Sequence, residues 1–254
     1  MAVNAEALLE VVEDGFLGGR LRIRQPVRGY RAATDPVLLA AAVPARPGET
    51  VLDLGCGAGT AALCLSARVE GVALHGLELQ PFYAGLAREN AGLNGRALTV
   101  HEGDLRAMPP ELKAHCFDAV MLNPPFHCPA DIGSPDRGRD IANRRGEATL
   151  ADWIGAGLAR TRPGGHVVVI MRAEWLPEIL TALSGRASAA VLPLAARPGR
   201  DAGRVIVRAR KGGRAHFRLC APFVLHDGES HLADGDDCSP RARAILREAA
   251  ALDF

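Results

Sequence analysis

The chain has 254 residues, 48% of them hydrophobic and 23% charged, with a net charge of +1. That length and composition suit a globular protein with a sizeable core, no apolar run reaches the roughly 18 residues of a membrane span, and a dedicated nucleic-acid binder would be more basic. Six cysteines without a CxxC pair and eight histidines without HxH or HxxxH argue against a disulfide framework and against a metal site.

In chain order, the first dozen residues look helical, and their acids Glu6 and Glu10, followed by Glu13 and Asp14, are unlike a signal peptide. A cytoplasmic protein with reduced thiols is expected. "GGRLRIRQPVRGYRAATD" reads as a short hairpin or extended arm. "TDPVLLAAAVPA" is a short apolar helix with Thr34 or Asp35 as N-cap and Pro36 at its first position. Strand and helix then alternate. "VLDLG" is a strand and "TAALCLSARV" a helix; "ALHGLEL" is a strand and "QPFYAGLARENAGLNG" a helix closed by Gly95. "ALTVHEGD" and "FDAVMLN" are the third and fourth strands. The helix around "TLADWIGAGLARTR", a "PGG" turn, the strand "HVVVIM" and the helix "WLPEILTALS" follow. "SAAVLPL" and "RVIVRARKG" are strands six and seven, antiparallel neighbours because no helix separates them. A small tail ends in a helix capped at Ser239, with Pro240 at its start. The pattern predicts an α/β, Rossmann-like, doubly wound sheet of seven strands, mostly parallel, with an antiparallel last strand. Ligands in such sheets bind at the carboxyl ends of the strands, near the topological switch point. No repeat or long polar linker divides the chain, so one domain is expected over 1–254, with an arm to 47, a core over 48–212 and an extension over 213–254.

Four motifs fall at strand ends. "VLDLGCGAG" carries Gly55, Gly57 and Gly59 between a strand and a helix, where a nucleotide-binding turn is built. Its third glycine stands one place earlier than in the dinucleotide fingerprint. Asp53 suits a ligand with a cationic amine rather than a pyrophosphate; a tight strand-to-helix turn is the plainer alternative. Glu78, about 20 residues on, can accept from two ribose hydroxyls or be an exposed strand-end carboxylate. Asp104, beside Leu105, either meets an adenine ring or caps the next turn. "NPPF" ends the fourth strand with Asn123, Pro124, Pro125 and Phe126. The two prolines have no N–H. The Asn123 side-chain oxygen and the Pro124 carbonyl can therefore accept from a planar –NH2 group while Phe126 stacks on its ring. The plainer alternative is a proline-braced loop. His127 and Cys128 are assigned no role. Two basic segments stand out: five arginines and no acid from Arg20 to Arg31, and nine basic residues against Asp201 from Arg186 to Arg218. They are either an RNA-backbone track or a solvated surface. Arg204, Arg208 and Arg210 share one face by period two, with Lys211 starting the turn.

These residues resemble the class I S-adenosylmethionine-dependent methyltransferases, in which a glycine loop, an acid like Glu78, an acid like Asp104 and an NPP(Y/F)-type motif follow in this order. More narrowly, "QPVRGYRAATDPVLLAA", "NPPF" and "RVIVRARKGGR" together are similar to the bacterial tRNA (adenine-N6)-methyltransferases acting beside the anticodon of a valine tRNA. Known members of that group have Tyr where this chain has Phe126, and "NPPFH" also resembles rRNA guanine-N2 methyltransferases. The resemblance implies S-adenosylmethionine as cofactor, no metal, and an RNA partner, tRNA first. It implies a cofactor set of Thr34, Asp35, Asp53, Gly55, Cys56, Gly57, Gly59, Glu78, Leu79, Gly103, Asp104, Leu105 and Asn123. Thr34 and Asp35 rest on the resemblance alone. RNA contacts are expected from Arg28, Arg31, Arg204, Arg208, Arg210 and Lys211. A protein glutamine methyltransferase, a non-catalytic RNA-binding module and an NAD-dependent dehydrogenase are the competing readings.

Overall fold

A computed structural model describes residues 10–125, 148–228 and 237–254. Strands β1 (Val11–Phe16) and β2 (Leu21–Pro26) form an antiparallel hairpin. Val11 and Val12 are thus strand, not the end of a helix. Their β-branched side chains favour the extended form, and β2 gives them partners, Val11 opposite Pro26 and Val12 opposite Gln25. The rest of the expected first helix lies outside the described residues. In β2, Leu21, Ile23 and Gln25 point inward while Arg22 and Arg24 point out.

The main sheet contains the seven expected strands: β3 (Thr50–Leu54), β4 (Ala73–Glu78), β5 (Thr99–Glu102), β6 (Phe117–Leu122), β7 (Thr161–Arg172), β8 (Ala187–Ala195) and β9 (Ala202–Lys211). From one edge the order is β5-β4-β3-β6-β7-β9-β8. Neighbours from β5 to β7 are parallel, and β9 runs antiparallel to both β7 and β8. Two short strands, β10 (Arg218–Leu219) and β11 (Phe223–Val224), add to the outer edge of β8 and bring the sheet to nine. The "PGG" expected as a turn lies within β7. There the register with β6 shifts and Gly164 takes φ +77°, the signature of a bulge.

Helices α1 (Thr34–Ala42), α2 (Thr60–Arg68) and α3 (Pro81–Leu93) precede the short α4 (Pro110–Lys113). α5 (Leu150–Arg160), α6 (Leu176–Leu183) and α7 (Pro240–Glu248) complete the described helices. α1 starts at Thr34, two residues before the Pro36 expected at its first position: Ala33 is its N-cap, without a side-chain hydrogen bond, and Asp35 sits in its first turn. There a carboxylate favours the helix dipole. Alternate strand residues feed two cores on opposite faces. Val51, Met121, Val168 and Ile170 join α1, α2, α7 and the hairpin. Leu52, Leu54, Val120, Leu122, Val167 and Val169 join α5 and α6. The period of two and the burial of both faces are the pattern of a doubly wound sheet.

β3, β4 and β6 end together. Leu54 is paired with Leu77 on one side and Leu122 on the other, so Gly55, Glu78 and Asn123 leave the sheet side by side. The chain winds from β3 toward β4 and β5, then returns to β6 on the opposite side. The switch point therefore lies between Asp53 and Asn123.

Candidate active site

The glycine turn is bent back onto β4. The N–H groups of Gly55 and Cys56 both donate to the Leu77 carbonyl, at 2.8 and 3.0 Å. Gly55 has φ +77°, and a Cβ there would stand 2.5 Å from the Trp153 ring. Glycine is required on both counts. The indole from α5 thus forms the floor of the turn.

Two carboxylates hold this turn from inside. Asp53, 2% exposed, accepts from the Ala62 N–H at 3.2 Å. Glu78, 8% exposed, accepts from Gly57 N–H through one oxygen and Gln80 N–H through the other, each at 2.9 Å. A carboxylate has about four acceptor sites, and the N–H groups of Gly57, Gln80 and Leu79 do not fill them all, so Glu78 keeps capacity to accept from a ligand hydroxyl. Burial pushes the Glu78 carboxyl upward, opposed by the N–H groups of Gln80, Gly57 and Leu79. Burial pushes the Asp53 carboxyl further, up to about 7, with the Ala62 N–H opposing and the Glu78 charge adding.

A buried carboxyl raised in this way weakens the folded state as it ionises. Relative to an unfolded Asp near 3.9, stability is full below that value and is lost as pH rises toward 7. Asp53→Asn removes this cost and keeps an acceptor for Ala62. Its melting temperature is expected to exceed that of the wild type by more at pH 8 than at pH 5. Equal melting curves at both pH values would show that Asp53 carries no such strain. A cationic ligand group would offset the same cost, so its binding should weaken as pH falls through 7.

A pocket opens beside Asp53 at the switch point, with about 400 Å³ of empty volume including its mouth. Gln25, Tyr30, Asp53, Thr60, Tyr83 and Asn123 supply its polar lining. The Thr60 hydroxyl is buried there with no hydrogen-bond partner among the described residues. Asn123 Nδ2 donates to the Tyr30 hydroxyl at 3.1 Å, which leaves the amide oxygen as an acceptor. Pro124 is buried and Pro125 exposed. Phe126, His127 and Cys128 lie outside the described residues.

Of the expected cofactor residues, Asp53, Gly55, Cys56 and Asn123 line the pocket. Gly57 is held by Glu78, and Gly59 is the left-handed residue before α2. Leu79 is 59% exposed at the end of β4. Gly103 donates to the Glu78 carbonyl at 2.9 Å. Asp104 caps the turn that Leu105 begins: it accepts from Arg106 N–H at 2.8 Å and pairs with that guanidinium at 2.7 Å. Those bonds hold its carboxyl below the usual range. Thr34 opens α1, and Asp35 accepts from Arg204 Nε at 3.0 Å. One residue expected at the cofactor is therefore paired with one expected at RNA.

Four of the other expected RNA contacts are also engaged within the chain. Arg31 pairs with Asp14 at 2.7 Å. Arg208 lies over the Phe254 ring at 4.3 Å, and burial lowers its pKa. Arg210 Nε donates to the Gly164 carbonyl at 3.2 Å, and Lys211 Nζ to the Thr161 carbonyl at 2.7 Å. Among the described residues Arg28 has no ion-pair partner. The β9 row starts with Arg204, opposite Arg172 at the pocket end of β7, and reaches Arg210 opposite His166. That is about 20 Å at strand spacing, leading away from the pocket.

Gln25, Tyr30, Thr60 and Tyr83 were not singled out in the sequence as site residues. Tyr30 and Gln25 lie within a quoted motif, and Tyr83 follows the Pro-Phe that opens α3, but no spacing rule points from them to Asn123. Among the described residues no helix is long and apolar enough to cross a membrane, and no group of three or more His, Cys, Asp or Glu side chains could hold a metal.

Residues 33–135 match the family model of the methyltransferase small domain. A segment of 122 residues is 37% identical to proteins of Yersinia pestis and Yersinia pseudotuberculosis named tRNA1(Val) (adenine(37)-N6)-methyltransferase. It covers 47% of this chain and 48% of theirs, so the chain spans about half the length of these curated relatives. Among solved structures, one from Agrobacterium tumefaciens described as a "predicted O-methyltransferase" superposes with a TM-score of 0.68 at 26% identity, over 86% of this chain and 98% of that one. A T. thermophilus 16S rRNA N2 G1207 methyltransferase, solved with AdoMet and guanosine, superposes with a TM-score of 0.54 at 20% identity, over 80% of this chain and 50% of that one.

Proposed function

We propose that this chain, whose residues 33–135 match the methyltransferase small domain and whose fold superposes on that of a predicted O-methyltransferase, transfers the methyl group of S-adenosylmethionine to an exocyclic amino nitrogen of a base in structured RNA, adenine N6 of a tRNA. The single observation that carries this reading is the placement of Asn123. Its amide stands on the rim of a pocket lined by Asp53, at the switch point, with the nitrogen end taken by Tyr30.

The residues present fit the cofactor. Asp53 suits its ammonium group, the unpartnered Thr60 hydroxyl offers a further polar contact, and the free acceptor sites of Glu78 suit the ribose hydroxyls. S-adenosylmethionine supplies a methyl group already activated by the sulfonium. What the chain must do is position and sharpen the nucleophile. The Asn123 oxygen and the Pro124 carbonyl accept the two amine hydrogens, which frees the nitrogen lone pair from the ring. Phe126 stacks on the base. No strong general base is needed: the methylated nitrogen carries a positive charge that makes its proton acidic enough to be lost to water. The names of the Yersinia relatives support adenine N6 in tRNA, and a tRNA substrate is in keeping with a cytoplasmic protein.

The arginines of β9 support an RNA partner through charge, although they also have partners within the chain. Replacing Arg208 and Arg210 by Ala should weaken tRNA binding and flatten the log–log salt slope by about two, with cofactor affinity unchanged. Filter binding at graded salt reads both. An unmoved slope would leave these arginines as internal braces only.

The acceptor class is tested by offering labelled S-adenosylmethionine with tRNA, ribosomal subunits and a glutamine-containing peptide in separate reactions. Label in tRNA is expected. Label in the peptide alone would overturn the RNA reading.

A further inference from the structure

An asparagine side chain has an acceptor at one end and a donor at the other, nearly equal in size. If Asn123 is to accept a hydrogen bond from an amine, the oxygen end must face the acceptor base. The neighbouring chain cannot make that choice, because Pro124 and Pro125 have no N–H to engage the amide oxygen. The nitrogen end of the amide instead donates to a hydroxyl from 93 residues away, that of Tyr30, at 3.1 Å.

Tyr30 is itself held firmly. The Tyr83 hydroxyl is inserted between the two polar backbone groups of Tyr30, accepting from its N–H at 3.0 Å and donating to its carbonyl at 3.2 Å. The approach depends on Gly29, at φ +108°, where a Cβ would stand 2.9 Å from the Tyr83 oxygen. Two residues on, the Gln25 side chain accepts from Ala32 N–H at 2.7 Å and donates to the Ala32 carbonyl at 3.3 Å. Gln25 is 2% exposed, so this second clamp is buried. The arm from β2 to α1 is thus pinned at Tyr30 and at Ala32 and forms one wall of the pocket.

Resting on the reading of Asn123 above, we infer that Tyr30 is a positioning residue: its hydroxyl takes the nitrogen end of the Asn123 amide and so turns the oxygen end toward the acceptor amine. Tyr83 and Gln25 set the position of that hydroxyl. Tyr30 is 45% exposed as a whole, but its hydroxyl end reaches into the pocket. Burial there, with the carboxylates of Asp35 and Asp53 nearby, raises the phenol pKa, so the group stays a neutral hydroxyl throughout the working pH range.

The test uses the full chain with labelled S-adenosylmethionine and tRNA, under single-turnover conditions. Tyr30→Phe keeps the ring and removes the acceptor. One neutral hydrogen bond supports a loss of about tenfold in rate, with cofactor affinity and KM for tRNA within about twofold of wild type. The discriminating arm repeats the substitution in Asn123→Asp. A carboxylate accepts through either oxygen and has no wrong end, so Tyr30→Phe should change the rate of that variant by less than about twofold. Equal losses in both backgrounds, or a loss confined to KM or cofactor affinity, would overturn the inference. Asn123→Ala keeps its failure separate from that of the reading beneath it. If that variant retains the wild-type rate, the role of Asn123 fails. If it stalls while Tyr30→Phe in the wild-type background runs at full rate, only the positioning role fails.

Discussion

Asn123→Ala is expected to lower the methyl-transfer rate by about 10²–10³ while cofactor and tRNA binding stay near wild type. On the proposed function the cofactor is held by β3, β4 and the glycine turn and the RNA by the arginines, so neither binding event depends on Asn123. What is lost is an acceptor whose interaction grows as the amine becomes pyramidal and gains positive charge. An interaction made mainly in the transition state lowers turnover rather than raising KM. The pocket wall should survive, because Tyr30 is anchored through its backbone by Tyr83 and not through Asn123. Asn123→Asp should be milder, since a carboxylate also accepts. Single-turnover rates with saturating cofactor and tRNA measure the effect. A near-wild-type rate in a folded, cofactor-bound Asn123→Ala would reduce Asn123 to a brace for the proline turn.

Glu78→Ala is expected to weaken S-adenosylmethionine binding roughly tenfold to a hundredfold, the equivalent of about 1.5–3 kcal/mol for hydrogen bonds to a charged acceptor. The effect has two parts. On the proposed function the ribose hydroxyls lose an acceptor, and in any case the N–H groups of Gly57 and Gln80 lose theirs. The glycine turn should loosen as well, so the melting temperature falls with the affinity. Glu78→Gln, which keeps one acceptor oxygen, should fall between. Calorimetric titration separates the outcomes: unchanged affinity with lowered stability would make Glu78 a loop brace alone.

The alternating strands were legible because buried parallel strands are short, apolar and punctuated by glycine and proline. The first residues were not. "EALLEVV" favours a helix by propensity, yet Val11 and Val12 are drawn into a hairpin by pairing with Gln25 and Pro26. β10 and β11 have two residues each, too few to show any period. Asp53, Gly55, Glu78 and Asn123 could be read because strand ends place them together. The sequence allows Asp104 two roles, and the structure shows its capping bonds to Arg106. The face shared by Arg204, Arg208 and Arg210 was legible as period two. Their partners were not, because Asp35, Phe254 and the Gly164 carbonyl come from remote segments. Tyr30 and Tyr83 were missed for the same reason: their role exists only once the arm folds back across the pocket.

The central claim is that this pocket methylates an amino nitrogen of a tRNA base. The most direct measurement is to label total tRNA with the protein and isotopic S-adenosylmethionine, digest to nucleosides, and identify the modified species by mass spectrometry. N6-methyladenosine is the expected product. Label in N2-methylguanosine would keep the chemistry and change the base. Label on a ring carbon, a ribose oxygen or no nucleoside at all would contradict it.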